Sequence, residues 1–434
     1  MIFSIIINYG TGLLLGNASY STAKRKLSLA MGVTINLLLL FYFKYLGFSE
    51  QILNGIIGLL HITEFRFEIA QVILPLGISF YTFQSLSYLI DVYRKPELVQ
   101  RNILNLGLFI AFFPQLIAGP IVRYHDINEQ IKERKHSLDL FGCGIERFIV
   151  GLAKKVLIAN TLAEVVDGIL AIPYSSVPSV YLILTILACS LQVYYDFSGY
   201  SDMAIGLGRM FGFKILENFN YPMVATSPSD VWRRWHISLS TWFRDYLYIP
   251  LGGNRKGKKR QALNFLIVFT LVGLWHGAAL NFVFFGFICG IGIALGLLLA
   301  KPPGEKQKAP RGEKNKPVSI IQRILKHFGA VILLVIFFMY FRLDMKSSIS
   351  FYTSLFNITR KVPVPLDILL LTDTRFYIMF VLGIMFSIPW WRKFNIPLNT
   401  LTIALKYAAL IVLFFWSFGS LATDAYNPFI YFRF

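Results

Sequence analysis

The sequence predicts an all-α integral membrane protein with about ten transmembrane helices and additional re-entrant or interfacial helices. Three observations support this fold class. First, 56% of the 434 residues are hydrophobic and only 15% are charged, and the mean hydropathy is +0.59, which is unusual for a soluble protein. Second, apolar runs recur along the chain. Third, basic clusters lie between those runs. In lipid, such runs must be helical because each helix satisfies its own backbone amides.

The apolar runs give the candidate spans in chain order. Several are shorter than the roughly 20 residues that cross a bilayer core, so we expect some tilted, broken or re-entrant helices. Residues 1–15 are apolar but lack a basic leader and a cleavage site, so we expect them to be retained as a helix. The remaining candidates are Met31–Phe48, Ile69–Ile90, Ile103–Ile117, Tyr181–Tyr195, Leu263–Trp275, Ala278–Ala300, Ala330–Phe341, Phe376–Trp390 and Leu401–Leu421.

The chain carries 42 Lys and Arg against 23 Asp and Glu, a net charge of +19. The positive charges cluster at 24–26, 255–260 and 301–326, directly beside apolar runs, which is typical of cytoplasmic loops. Without interleaved aromatic residues, these clusters do not indicate a nucleic-acid surface. The bilayer and its anionic headgroups are the expected partners, in a multi-pass protein.

Residues 301–317 contain four prolines and two glycines with many charges, which is typical of a mobile linker. The sequence therefore predicts three regions. A membrane core at 1–300 carries the notable motifs, a cytosolic linker follows at 301–319, and helices at 320–434 close the bundle. No internal repeat is evident, which weakens the case for a transporter built from inverted halves.

A segment that starts at residue 230, DVWRRWHISLSTWFRDYLYIPLGGNRKG, is too polar for a lipid-facing helix and too aromatic for a loop. At helical spacing, Trp232, Trp235 and Leu239 share one face. Arg233 and Arg234 are then available for phosphates or headgroups. The sequence thus predicts an interfacial or re-entrant helix.

Two Trp-His pairs, Trp235-His236 and Trp275-His276, stand beside apolar segments in a chain with six histidines. Polar rings at membrane depth need partners or a function. Burial favours the uncharged imidazole that a general base requires, and such a base accelerates reactions by roughly 10² to 10⁴. The alternative for His276 is a hydrogen-bonded packing residue.

No metal site is predicted, because neither histidine has an Asp, Glu or Cys one helical turn away. Cys143, Cys189 and Cys289 are far apart, without a C-x-x-C pair, and we expect structural thiols.

Other polar residues in apolar surroundings are candidates for the wall of an internal tunnel. Asp196 and Asp202 follow an apolar run, where a carboxylate needs a partner. Either could orient a histidine, although pairing with an arginine for helix packing is favoured. Gln115 lies near a Gly-Pro break, and Asn281 follows the second Trp-His pair.

The motifs together identify a family resemblance. The chain resembles the membrane-bound O-acyltransferases, in the bacterial branch that contains the alginate O-acetyltransferase and, more distantly, the D-alanine transfer protein of teichoic acid synthesis. The motifs that carry it are LPLGISFYTFQSLSYLIDVYR from Leu74, FFPQLIAGPIVRY from Phe112, YYDFSGYSDMAIGLGRMFGF from Tyr194, WRRWHISLS from Trp232, GLWHGA from Gly273 and YNPFIYFRF from Tyr426.

The resemblance implies a helical bundle with a central funnel, in the bacterial cytoplasmic (inner) membrane. It implies that His276 is the catalytic histidine and that His236 occupies a second motif position, where relatives carry His or Asn. Acetyl-CoA would be the cytosolic donor, no cofactor would be bound, and Arg233, Arg234, Trp235 and Trp275 would contribute to donor binding. The acceptor would be a cell-surface polysaccharide such as alginate, reached directly or through a periplasmic acetyl-transfer protein.

Alternative functions remain open from the sequence. They are a lipid or peptidoglycan O-acyltransferase and a transporter. Relatives of this branch usually begin with a further apolar helix, so the resemblance also implies an N-terminally short form.

Overall fold

The computed structural model describes residues 1–61, 66–70, 72–299, 327, 329, 335, 338–340, 342–357, 362–394, 397 and 399–423. Within these ranges the regular secondary structure is helical, with no strand, as the sequence predicts. The helices are α1 Ile2–Leu15, α2 Thr22–Leu40, α3 Leu46–Leu59, α4 Ile78–Arg94, α5 Ile103–Ile110, α6 Tyr124–Lys132, α7 Leu138–Ala153, α8 Asn160–Leu170, α9 Ser179–Met210, α10 Pro228–Arg234, α11 Ile237–Phe243, α12 Gly257–His276, α13 Leu280–Leu299, α14 Met345–Phe356, α15 Leu366–Leu371, α16 Thr374–Phe386 and α17 Thr400–Thr423.

Three π-helical segments join or extend these helices without a break in the chain direction. Phe41–Tyr45 connects α2 to α3, Lys154–Ala159 connects α7 to α8, and Arg244–Tyr248 extends α11. A π-helical turn inserts one extra residue per turn and is frequent at functional sites. Two of these segments carry lysines in apolar surroundings.

Four helical stretches in the described part of the chain are long and apolar enough to cross a membrane: Thr22–Leu59, Ser179–Met210, Leu280–Leu299 and Thr400–Thr423. Two shorter apolar helices are Ile2–Leu15 and Thr374–Phe386. The expected number of about ten spans stays a prediction. The predicted span 330–341, the linker at 301–317 and the C-terminal motif from residue 426 lie largely or wholly outside the described residues.

Two predicted spans are shorter in the structure than in the sequence pattern. Helix α5 ends at Ile110, because the apolar run continues into turns before Pro114. Helix α4 begins only at Ile78, because Gly77 adopts a left-handed conformation with φ 73°. A Cβ on Gly77 would lie 2.4 Å from the Leu116 carbonyl oxygen. Glycine is therefore required there by both conformation and space.

Helix α17 presents apolar side chains to its surroundings. Leu401, Ile411 and Phe415 are 67%, 57% and 66% exposed. A soluble protein rarely exposes so continuous an apolar surface, whereas a helix facing lipid does. This exposure agrees with the membrane-protein class that the composition predicts.

The described chain separates into two compact units. Unit 1 contains residues 1–145, 204–216 and 275–279, and unit 2 contains 146–203, 217–274 and 280–434. Because 300–326 lie outside the described residues, the predicted division into core, linker and closing helices stays a prediction.

In unit 1, polar side chains join helices α1, α2 and α4. Asn8 and Asn36 exchange two hydrogen bonds of 3.1 and 2.9 Å. Ser4 adds contacts to Asn36 at 3.4 Å and to Ser85 at 3.3 Å. All four side chains are buried. Interhelical hydrogen bonds of this kind stabilise helix packing where the alternative is an unsatisfied polar group in hydrocarbon.

In unit 2, two glycines bring α12 and α13 into backbone contact. A Cβ on Gly286 would lie 2.2 Å from the Phe269 carbonyl oxygen, and a Cβ on Gly273 would lie 2.2 Å from the Phe282 carbonyl oxygen. No side chain fits at either position, so the close approach depends on both glycines. This contact holds the helix that ends in His276.

We predict that Gly286→Ala destabilises the purified protein by about 1 to 3 kcal/mol, because the added methyl group overlaps backbone atoms that cannot move aside easily. The measurement is thermal unfolding in detergent. Gly292→Ala on the same helix is the matched control, because no atom lies within 4 Å of its Cβ position. Equal unfolding temperatures for the two variants would contradict the prediction.

A charged cluster in unit 1 joins α4 to α6. Oδ2 of Asp91 accepts a hydrogen bond from the backbone N–H of His125 at 3.1 Å. The same oxygen lies 2.8 Å from Nδ1 of the His125 ring. Arg123 forms two hydrogen bonds with Asp126, of 2.7 and 2.8 Å. The hydrogen bond to Asp91 raises the pKa of His125 above its usual value, and the charges of Asp91 and Asp126 add to this effect.

A raised pKa means that the folded state holds the His125 proton more tightly than the unfolded chain does. The resulting stability is fully present below the unfolded pKa of about 6.5 and is lost as pH rises through the folded value. We therefore predict that His125→Gln lowers the unfolding temperature more at pH 5.5 than at pH 9, relative to the wild type at each pH. A difference that is the same at both pH values would refute this assignment.

Candidate active site

His276 is the last residue of α12, and its side chain is buried, with 7% of its surface exposed. Trp275, which precedes it, is held by two rings of α4. Its ring stacks on Phe83 at 5.3 Å and meets Phe80 edge-to-face at 5.5 Å. The rings of Trp275 and His276 are 5.1 Å apart. The aromatic contacts thus fix the end of α12 and the direction of the imidazole.

Lys44 is a site residue that sequence reasoning missed. It lies in the π-helical segment between α2 and α3, and its Nζ donates to the Trp275 carbonyl oxygen at 2.5 Å and to Ser79 Oγ at 3.1 Å. Nζ also lies 5.8 Å from the centre of the Trp275 ring. The last carbonyls of a helix lack intrahelical donors and lie at the negative end of its dipole, where a cation is favourable.

The sequence did contain a signal for Lys44. It is the single charged residue in the predicted span Met31–Phe48. An ionisable residue within an apolar span marks a functional site by default. This lysine lies far in the sequence from both histidines and from the arginine-rich segment, so no motif connects it to them.

Gln115 and Gln84 are two further buried polar side chains of unit 1, each 1% exposed. Among the described residues, neither polar atom of the Gln115 side chain has a hydrogen-bond partner, nor has Oε1 of Gln84. Buried amides without protein partners are expected where water or a ligand supplies the bonds. The prediction that Gln115 lines a tunnel is consistent with this environment and stays a prediction.

His236 lies in unit 2 and is 2% exposed. Its ring packs edge-to-face on Phe197, with centres 4.6 Å apart, and its Nδ1 lies 3.2 Å from Asn218 Oδ1. Its backbone has φ 46° and ψ 52°, in the left-handed region. Asn and His are among the non-glycine residues that adopt this region most readily.

Asn218 is a second residue that sequence reasoning missed. Its Oδ1 accepts from the backbone N and Oγ of Ser238 at 3.2 and 2.9 Å, and its Nδ2 donates to Ser201 at 3.0 Å. Its carbonyl oxygen accepts from the Ile237 backbone N at 2.9 Å. One buried amide therefore holds the turn that carries His236.

The prediction of one interfacial helix over the WRRWH segment is wrong. Helix α10 ends at Arg234 and α11 begins at Ile237, because the left-handed backbone of His236 interrupts the helix. Trp232 and Trp235 consequently do not share one continuous face. Trp232 packs on Phe269, at 4.9 Å between ring centres. Trp235 is buried among a different set of rings: Tyr194, Phe197, Phe219 and Phe338.

The two arginines predicted to bind the donor differ in their surroundings. Arg233 is exposed at the end of α10. Arg234 pairs with Asp230 at 3.1 Å and donates to the Asn220 carbonyl oxygen at 3.2 Å. Arg233 is therefore the more accessible of the two. Donor binding by these arginines, Trp235 and Trp275 stays a prediction.

The two aspartates of the polar motif form ion pairs with basic residues of α7 and of the π-helical segment that follows it. Asp202 pairs with Arg147 at 2.5 Å and with Lys154 at 2.6 Å. Asp196 pairs with Lys155 at 2.7 Å, and both side chains are at most 9% exposed. Pairing for helix packing was the favoured prediction. Arginine is the partner for Asp202 as expected, while a lysine takes that position for Asp196.

Asn281, the last predicted tunnel residue, donates to the Tyr340 carbonyl oxygen at 2.9 Å and to the Leu343 carbonyl oxygen at 3.4 Å. Within the described ranges, no three His, Cys, Asp or Glu side chains are placed to bind a metal ion. Cys189 and Cys289 are buried and Cys143 is exposed.

A family comparison defines the class of protein. Residues 94–300, which contain both histidine motifs, match the model of the membrane-bound O-acyltransferase family. The chain thus contains a membrane-bound O-acyltransferase family domain, as its motifs predict.

Individual relatives place it within the family. The chain is 46% identical over 291 residues to "Probable alginate O-acetylase AlgI" of Pseudomonas putida, covering 66% of this chain and 59% of that protein. It is 45% identical over 290 residues to the protein of the same name from Azotobacter vinelandii, covering 67% and 57%. It is 36% identical over 325 residues to "Peptidoglycan O-acetyltransferase" of Helicobacter pylori, covering 68% and 60%. The chain therefore spans less than two thirds of the length of these relatives.

We predict that Asn218→Leu costs about 1 to 3 kcal/mol of stability, because it removes the oxygen that accepts hydrogen bonds from the buried Ser238 and lies beside His236 Nδ1. Asn218→Asp is the matched variant that keeps an acceptor oxygen and is expected to lose less. Chemical denaturation of the purified protein measures both. A loss for Asn218→Asp as large as that for Asn218→Leu would show that the amide donor to Ser201, and not the acceptor, stabilises the turn.

Proposed function

We propose that the protein is a membrane O-acyltransferase that moves an acetyl group from cytosolic acetyl-CoA to hydroxyl groups of a cell-surface polysaccharide. The single observation that carries the proposal is the buried imidazole of His276 at the end of α12, within the family domain. An imidazole excluded from water is held uncharged and is able to accept a proton.

The chemistry assigned to His276 is general base catalysis. The acceptor hydroxyl oxygen attacks the carbonyl carbon of the thioester, and its proton passes to the imidazole. The carbonyl π electrons move onto oxygen, giving a tetrahedral oxyanion. When this intermediate collapses, the C–S bond breaks, the ester forms, and the thiolate takes the proton from the imidazolium. The histidine returns to its starting state, and no cofactor is consumed.

His236 is assigned to orienting the donor thioester or to stabilising the developing oxyanion. Its support is local: Asn218 and Phe197 hold the ring in one orientation, and preorganised polar groups are what such a role requires. Arg233, which is exposed, would attract the phosphates of coenzyme A by charge and by two-pronged hydrogen bonds.

The architecture that goes with this activity is a bundle of about ten membrane helices with a central funnel, open to the donor from the cytosol. The protein would lie in the bacterial cytoplasmic membrane, and a periplasmic acetyl-transfer protein would complete delivery to the polymer. The named relatives favour alginate or a similar exported polysaccharide as acceptor. The Helicobacter relative supports peptidoglycan as a second candidate acceptor.

We predict that His276→Gln abolishes acetylation, lowering it at least 10²-fold, because the amide has no basic nitrogen. The measurement is the acetyl-ester content of exported polymer from a deletion strain that expresses each variant at matched membrane levels. His136→Gln is the control, since this exposed histidine lies outside the proposed site.

Two outcomes would contradict the proposal. Retained acetylation with His276→Gln would remove the assigned base, and altered solute flux with unchanged acetylation would indicate a transporter. A donor assay with labelled acetyl and palmitoyl thioesters separates acetyl transfer from acylation of lipids, because only a long-chain enzyme would use the palmitoyl donor.

A further inference from the structure

Lys44 is a partly buried cation, and no carboxylate in the described part of the chain neutralises its charge. No carboxylate described there lies within ion-pair distance of its Nζ. The buried Lys155, by contrast, is paired with the carboxylate of Asp196 at 2.7 Å. Removing an ammonium group from water is strongly unfavourable unless an opposite charge or a set of acceptors compensates for it. An anion that binds or forms during the reaction would supply that charge.

The hydrogen bonds of Lys44 leave one donor available. An ammonium group has three N–H bonds. Two have acceptors, the Trp275 carbonyl oxygen and Ser79 Oγ. These two bonds fix the direction of the third. The aromatic ring of Trp275 lies on one side of the ammonium, so the group is held in place before any substrate arrives.

The position of Lys44 relates it directly to the candidate base. Its Nζ binds the carbonyl of the peptide group that joins Trp275 to His276. The π-helical turn Phe41–Tyr45 places the lysine there without interrupting the helix on either side. The ammonium is therefore anchored at the peptide group that precedes His276. A fixed positive charge close to a general base can stabilise negative charge that develops on the substrate.

We propose that Lys44 is a catalytic residue of the acyl-transfer site, whose third N–H stabilises the oxyanion formed on the acyl carbonyl oxygen while His276 holds the hydroxyl proton. This inference rests on the proposed function. Lys44 stays protonated throughout, so it alters neither the bonds made and broken nor the proton balance. Its charge is neutralised only while the tetrahedral intermediate exists, which favours that intermediate over the ground state.

The test compares Lys44→Met, Lys44→Gln and Lys44→Arg in the purified protein, with acetyl-CoA as the donor and a purified alginate plus periplasmic extract of the source organism as the acceptor system. Lys44→Met removes the positive charge and the N–H donors. Lys44→Gln keeps N–H donors without the charge, and Lys44→Arg keeps the charge and the donors. We expect Lys44→Met to lower kcat by about 10² to 10³ with little change in KM. Lys44→Arg should recover most of the loss, whereas Lys44→Gln should not. Lys26→Met, at an exposed lysine of α2, is the matched control.

A merely structural role gives a different result. If Lys44 only caps the carbonyl of Trp275, Lys44→Gln should act like the wild type, and loss of activity should follow loss of thermal stability. That result, or a kcat for Lys44→Met within twofold of the wild type, overturns the inference while the proposed function stands. Failure of the wild type to transfer acetyl to the alginate or to peptidoglycan fragments, with the periplasmic extract present, overturns the proposed function, and the inference with it.

Discussion

The hydrogen bond from Lys44 to the Trp275 carbonyl is the interaction on which the candidate site depends. It gives the Trp275 carbonyl, in the last turn of α12, a charged hydrogen-bond donor. It also joins a π-helical turn to the peptide that leads into His276. Stacking of Trp275 on Phe83 then fixes the orientation of that peptide. The imidazole is consequently positioned from the backbone side, through the peptide group that precedes it.

The second histidine is positioned by a different means. At His236 the chain itself changes direction, through a left-handed backbone conformation, and the amide of Asn218 bonds to both sides of the turn. Nearby, three basic residues on one helical stretch neutralise Asp196 and Asp202. Both of these aspartates of unit 2 are thus paired with basic side chains, whereas Lys44 of unit 1 has no carboxylate partner among the described residues.

Composition and the spacing of apolar runs were sufficient to predict an all-helical membrane protein, because lipid leaves few alternatives for the backbone. The histidine motifs were equally visible, since histidine is rare in apolar segments. The break at His236 was not predictable from helical spacing, because Trp232 and Trp235 fit a continuous helix as well as a broken one. Lys44 was not predictable as a residue of this site because its contact with Trp275 spans 231 positions. Asn218 lies 18 positions before His236, but no sequence pattern indicates which amide holds the turn.

The long separation between Lys44 and Trp275 has a consequence for biogenesis. The two residues are 231 positions apart, and a ribosome adding about 5 to 20 residues per second needs roughly 10 to 50 s to cover that distance. For that time the first long apolar helix holds a lysine whose acceptor has not been synthesised. Until the Trp275 carbonyl is made, water, headgroups or the insertion machinery must solvate this ammonium, because hydrocarbon alone cannot.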